Sequence, residues 1–293
     1  MNVVVTRAAS PGDVPVLDAS TVMLLRDRGP VGSSVLEVCL MQRNLDSDFV
    51  GGAYVFPGGA VDPDDADPAA FAACAGLTDA EASRRLGLDS GGLAFWVAVI
   101  REAFEEAGVL MANQLSGLPL DLADPQVADR FATHRSAVDG SHMSIAQVAA
   151  AEDLRLDVGS IHYFSRWITP LGSHRRYDTR FFVAASPVGQ EVVADDRELI
   201  GTRWMTPAEA LAAHDSGDIV LIFPTVRTLV ALDRFRCAAD VLDHARRISQ
   251  IQPILPTIAD QSDGVRIVLP GDPEGTGGIY DAWTARPLDP DRA

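Results

Sequence analysis

The sequence predicts an α+β fold, a mixed β-sheet covered by helices, with a helical excursion and a C-terminal extension. Three observations carry this. Strand-like and helical stretches follow one another without the regular alternation that a doubly wound sheet requires. The strand-like runs are short, apolar and bounded by Gly, Pro and Asp. The chain, 293 residues with 47% hydrophobic and 22% charged, is large enough to bury a proper core and contains no internal repeat.

In chain order, strands are predicted at STVMLLR (Ser20 to Arg26), VLEVCLMQR (Val35 to Arg43) and AYVFP (Ala53 to Pro57). An Asp-, Ala- and Gly-rich stretch follows, in which TDAEASRRLG carries a helix cap at its front and a stop at its end. A longer helix is predicted from about Leu93 to Leu110. Further strands are expected at Ile161 to Thr169, Thr179 to Ala185 and Thr202 to Thr206, with helices at PAEALAAHDSG and around TVRTLVALDRFRCAADVLDHARR.

Composition narrows the function classes. A formal charge of -17 opposes any general affinity for nucleic acid. All 24 basic residues are arginine, a compositional bias, and the acidic balance favours solubility. No apolar run reaches membrane-spanning length and MNVVVTRAASPGD lacks a signal-peptide layout, so no membrane partner and a cytoplasmic location are expected. Cys39, Cys74 and Cys237 are odd in number and far apart, which suggests neither a disulfide framework nor a thiolate metal site.

The most informative element is the helix containing REAFEEAGV (Arg101 to Val109). At 100° per residue, with Glu102 at zero, Glu105 falls at roughly -60° and Glu106 at roughly +40°, so three carboxylates share one face. Trp96, Val97, Ile100, Phe104 and Ala107 occupy the opposite face, and Gly108 is positioned as C-cap. A solvated acidic face is the ordinary explanation. Against it, these glutamates repel one another and lie toward the helix C-terminus, where the macrodipole disfavours negative charge. Arg101 offsets part of that charge, and a hard divalent cation is suited to the rest. Upstream, FPGGAVDPDD (Phe56 to Asp65) presents a double glycine that lets a main-chain carbonyl approach a ligand or metal closely.

Together the GG corner and REAFEEAGV resemble the Nudix box: Gly, five residues, Glu, seven residues, then Arg-Glu-apolar-any-Glu-Glu-any-Gly-apolar. The second half matches at Arg101, Glu102, Ala103, Glu105, Glu106, Gly108 and Val109. In the first half, five residues lead from Gly59 to Asp65 where the family has Glu, and 35 residues (Ala66 to Ile100) replace the usual seven. A contiguous register from Gly87 puts Leu93 where the acid belongs and lacks the Phe-Pro-Gly-Gly corner. The split pattern, with MQR, WITPLGSHRRYDTRFFVAA and ELIGTRWMTPAEAL around it, is similar to a superfamily branch with a long insertion inside the box. That branch includes coenzyme A diphosphatases of the peroxisomal type and bacterial relatives.

The resemblance implies a Nudix-type α/β/α sandwich over residues 17–235, with 66–92 as an insertion and 236–293 as a C-terminal helix and tail packing on the domain or on a partner in a homodimer. It implies Mg²⁺- or Mn²⁺-dependent hydrolysis of a diphosphate-linked small molecule by a metal-activated water. Glu102, Glu105, Glu106 and the Gly58 carbonyl would hold metal, and Arg101 would orient the acids through an ion pair with the shorter Asp65. Glu105, Glu106 or the more distant Glu198 would accept the proton.

Positive charge for substrate phosphates is concentrated in SHRRYDTR, with Arg175, Arg176 and Arg180, and Tyr177 for stacking. Pairing with the abundant carboxylates is the alternative use of these arginines. Coenzyme A and its esters fit this branch and patch; nucleotide sugars, ADP-ribose and NADH remain open, as does a non-catalytic nucleotide-sensing module. The arginine-bearing element that some coenzyme A hydrolases carry before the corner is only partly present: Gly52 fits, while Asp48 stands at the arginine position. Trp167 and Trp204 are expected to pack the sheet, and the scattered histidines receive no role.

Overall fold

The computed structural model describes residues 14–30, 33–47, 50–261, 264–271, 278–282 and 284–288; Asp48 lies outside the described residues. Its elements are β1 (Val16–Arg28), β2 (Val35–Arg43), β3 (Ala53–Val55), β4 (Gly58–Ala60), a 3-10 turn (Pro63–Ala66), α1 (Pro68–Ala73), β5 (Cys74–Ala75), α2 (Asp79–Leu86), α3 (Leu93–Ala107), β6 (Ala112–Gln114), α4 (Pro125–Asp139), α5 (Ile145–Ala151), β7 (Leu154–Asp157), β8 (His162–Ile168), β9 (Arg176–Ala185), β10 (Leu199–Met205), α6 (Pro207–Ser216), β11 (Val220–Leu221), α7 (Phe223–Leu232), α8 (Ala238–Arg247), β12 (Thr257–Gln261), β13 (Gly264–Val268) and β14 (Ile279–Asp281).

The main sheet runs β11-β3-β2-β1-β9-β8, with β10 on β2 and β4 on β1. β1 is its spine. It runs parallel to β9 from Val16↔Arg176 to Leu25↔Ala185. It is antiparallel to β4 at Ala19↔Ala60 to Thr21↔Gly58, and to β2 from Leu25↔Val38 onward. Period-two alternation sorts the side chains into two cores. Val22, Leu24, Cys39, Met41, Phe182 and Ala184 pack with α3, whereas Met23, Leu25, Val38, Leu40, Phe181 and Val183 pack with α7 and α8. The result is a three-layer α/β/α sandwich, as expected. Each fully buried side chain such as Leu24 or Phe182 contributes about 1.5–3 kcal/mol relative to exposure.

Residues 66–92 share the core of α3 through Ala70, Leu77, Ala82 and Leu86. They also position its start. The N-cap residue Gly92 has no side chain to offer, and Asp79 of α2 takes over, accepting the N–H of Leu93 at 2.9 Å and of Gly91 at 3.0 Å.

The predicted strands and the helices α2, α3 and α6 fall on their segments. The stretch read as helical around Thr225 to Arg247 is two helices, α7 and α8, parted after Leu232. α4 and α5 occupy a region where no element was predicted, because α4 buries only Phe131 and Val138 and so has a faint apolar stripe. Their caps were in plain view: Asp124 before Pro125, and the Ser144–Gln147 capping box.

The tail adds a three-stranded sheet, β12-β13-β14. Ile254 bridges Trp167 on the chain's own β8, and Tyr280 packs edge-on against Phe223. Trp167 is core, and Trp204 stacks under Arg26 at 4.2 Å. The three cysteines are unpaired; burial pushes the Cys39 thiol up to about 12, which leaves it unreactive. Among the described residues no helix is long and apolar enough to cross a membrane.

Candidate active site

The Phe-Pro-Gly-Gly corner is anchored on β1. Thr21 Oγ1 donates to the Pro57 carbonyl at 2.6 Å, and the Val22 N–H donates to the same oxygen at 2.9 Å. Gly58 is required for backbone reasons, and Gly59 leaves room for the Glu102 carboxylate. Gly58 has φ +154°, and a Cβ there would lie 2.3 Å from the Ser20 carbonyl; a Cβ on Gly59 would lie 2.4 Å from Glu102 Oε1. The bare strand β4 therefore lies directly against the acidic turn of α3.

That helix is buried on every side: all its residues except the half-buried Glu105 are inside. Trp96 anchors the back by donating to the Ile161 carbonyl at 2.9 Å. The acidic front is covered by the chain that precedes the insertion. Arg101 Nε and Nη2 each donate to Asp65 at 2.9 Å, one to each carboxylate oxygen, and Nη2 also reaches the Ala60 carbonyl at 2.8 Å. Its Nη1 donates to Glu102 Oε1 at 2.8 Å and Glu105 Oε2 at 2.9 Å. Glu106 Oε2 accepts the Gly58 N–H at 2.7 Å. The missing methylene of Asp65 is made up by the 3-10 turn, which carries the carboxylate inward to 1% exposure.

One guanidinium pairs with three crowded carboxyls, Asp65, Glu102 and Glu105, with Glu106 close by, and the balance is unfavourable to the ionised forms. Burial, with the neighbouring Glu105, pushes Glu102 up to about 7 against the pull of Arg101. Burial and then Glu102 hold Glu106 well above the usual range, with Glu198 adding and the Gly58 amide and Arg43 opposing. Burial also raises Glu105. Arg101 itself is held firmly charged: Asp65, Glu102 and Glu105 outweigh the cost of its burial.

Among the described residues no three His, Cys, Asp or Glu side chains are gathered into a ready metal cage. One oxygen each of Glu102, Glu105 and Glu106 is turned onto a protein donor, and the other accepts no hydrogen bond among the described residues. This donor set of hard oxygens, clustered and destabilised in its charged form, fits a divalent cation, which favours ionised carboxylates.

Glu198 is exposed on the segment before β10, close enough to Glu106 to raise it. Sequence reasoning missed Arg135, on the unpredicted α4, which donates to the carbonyls of Glu105 and Glu106 at 2.8 and 2.9 Å. It also gave no place to Arg43, whose charge is felt at Glu106.

SHRRYDTR does not form the single open cationic patch expected of it. Arg175 is exposed and Tyr177 half-buried, but Arg176 is buried and donates to the Thr169 carbonyl at 3.2 Å. Arg180 is 2% exposed, pairs with Asp18 and Asp178, and stacks 4.3 Å over Phe95 of α3. Sheet pairing turns its side chain into the core beside Phe182, where Nη1 carries both ion pairs. Ser20 pairs with Gly59 on one side and Arg180 on the other, two strands apart, a distance of about 10 Å.

The family model of the NUDT19 Nudix domain matches residues 80–232, more than half of the chain. The chain belongs to the Nudix family. The match begins after Asp65, so the Phe-Pro-Gly-Gly corner and Asp65 lie ahead of it, while Arg101 lies within it. This Nudix chain is similar to the human protein named acyl-coenzyme A diphosphatase NUDT19, 29% identical over 274 residues that span 83% of the chain and 73% of the relative. The Xenopus laevis protein of the same name is 26% identical over 271 residues, 82% of the chain and 71% of the relative. The Nudix hydrolase of Alicyclobacillus acidocaldarius has the same fold, with a TM-score of 0.66 at 24% identity over 83% of this chain and 100% of that one.

Proposed function

We propose that this Nudix protein hydrolyses the diphosphate bond of coenzyme A or its acyl esters, using Mg²⁺ or Mn²⁺. One observation carries the reading. The two halves of the split box meet, Gly58 on Glu106 at 2.7 Å and Asp65 on Arg101 at 2.9 Å, so the insertion leaves a single acidic centre. The names of the curated relatives supply the substrate class.

In this reading Glu102, Glu105, Glu106 and the Gly58 carbonyl hold the cation. A divalent cation there supplies the positive charge that neutralises the diphosphate oxygens and eases ionisation of the attacking water. Arg101, fixed by Asp65, keeps Glu102 and Glu105 in register. Glu198, exposed beside Glu106, takes the proton from water, and Arg175 with Tyr177 meets the substrate phosphates. Residues 17–235 form the catalytic domain with 66–92 inserted, and 236–293 extend it. Three unpaired cysteines support a cytoplasmic setting.

The test is product release from acyl-CoA, NADH, ADP-ribose and nucleotide sugars with each metal, wild type beside Glu105→Gln. Adenosine 3′,5′-bisphosphate from acyl-CoA, slowed at least about 100-fold by the substitution, is expected. Cleavage of no panel member, or equal rates for the two proteins, overturns the reading.

A further inference from the structure

A helix leaves its last carbonyls without internal partners, and in α3 this end carries Glu105 and Glu106. Three of these carbonyls are taken from outside. Arg135 Nε donates to Glu105 O at 2.8 Å, Arg135 Nη2 to Glu106 O at 2.9 Å, and the Val193 N–H to Ala107 O at 2.9 Å. The same Nη2 donates to Val193 O at 3.0 Å. One guanidinium and the backbone of one residue, Val193, thus join α3, α4 and the 190–198 segment.

That segment has no regular structure, yet its end is held firmly. The Asn44 N–H donates to Glu198 O and Asn44 Nδ2 to Arg197 O, both at 2.8 Å. Asp195 accepts the Glu198 N–H at 3.0 Å, and Arg197 pairs with Asp139 at the end of α4. The donors of Arg135 go to neutral carbonyls, and its charge lies at a helix C-terminus, where positive charge is favourable.

We infer that Arg135 is a positioning residue for hydrolysis, holding the Glu105–Glu106 turn and the Glu198 segment in one fixed relation. The inference rests on the proposed roles of Glu106 and Glu198. Arg135 touches no substrate; it acts through the backbone that carries these two carboxylates. Lysine has the charge but not the fork, and it is unable to span carbonyls of α3 and Val193 together.

The experiment compares wild type, Arg135→Lys, Glu198→Gln and the double variant, with Arg135→Gln standing in should the lysine variant not fold. For Arg135→Lys, near-UV circular dichroism stays native, KM moves less than about 3-fold and kcat falls at least about 10-fold. Glu198→Gln slows the wild type strongly but the Arg135→Lys background little, since Glu198 is already out of place there. Amide exchange at Val193 accelerates in Arg135→Lys. An unchanged kcat, fully multiplicative effects, or unchanged Val193 exchange overturns the inference. A wild type that cleaves no diphosphate overturns the proposed function instead, and Val193 exchange alone then decides for or against the clamp.

Discussion

Arg101 and Asp65 meet in a two-point fork, Nε to Oδ1 and Nη2 to Oδ2, both at 2.9 Å across 36 positions of chain. Removing one partner of a buried pair leaves the other uncompensated. Asp65→Asn is expected to lower stability by about 3 kcal/mol, read by urea unfolding of the metal-free protein. Asp65→Glu restores the family residue but not the wild-type stability, because Asp65 Oδ2 also accepts the Asp62 N–H at 2.8 Å and the turn is built for the shorter arm.

Gly59→Ala places a methyl where Glu102 Oε1 now stands, 2.4 Å from the ideal Cβ. Glu102 has to swing away. We expect at least a 10-fold loss of turnover and weaker Mn²⁺ binding by electron paramagnetic resonance, with the helical circular dichroism unchanged.

The raised carboxyls make the metal-free protein sensitive to alkali. Glu102 ionises near 4.5 in the unfolded chain but near 7 in the fold, where burial opposes its charge. Between those values the native state binds more protons, so stability falls as pH rises through the window. Glu102→Gln removes this contribution, at most about 3 kcal/mol. Unfolding curves at pH 5 and pH 8 are therefore closer together in the variant than in wild type. Added Mg²⁺ stabilises wild type more at pH 8 than at pH 5, since it binds the ionised form.

Arg175 and Arg180 separate binding from architecture. Arg175→Ala, on the surface, is expected to raise KM several-fold with the melting temperature unchanged. Arg180→Ala vacates the face of Phe95 and leaves a cavity in the core, while Asp178 keeps its fork to Arg166, so it lowers stability by about 2 kcal/mol. Thermal melts beside Michaelis plots distinguish the two.

Much of this was legible in the residues. The three carboxylates on one turn of α3 and the double glycine before them were readable from spacing alone, and the strands from their apolar alternation. What escaped was set by tertiary contact. Burial of the acidic face depends on a turn 36 positions away, which no helical wheel contains. α4 escaped because only Phe131 and Val138 mark its inner side, and Arg135 escaped with it. Arg180 looked like a phosphate ligand because sequence order does not reveal that Asp18, on a parallel neighbour, claims it first.

Asp79 capping the start of α3 has a kinetic consequence. The helix that bears the glutamates receives its first hydrogen-bond acceptors from the detour itself, while the Arg101–Asp65 ring closes around the whole of it. Ring closure over such a span is entropically slow, and the contacts that reward it are non-local. The excursion is expected to condense first and the acidic centre last, so a nascent chain stays chemically silent until the detour has folded.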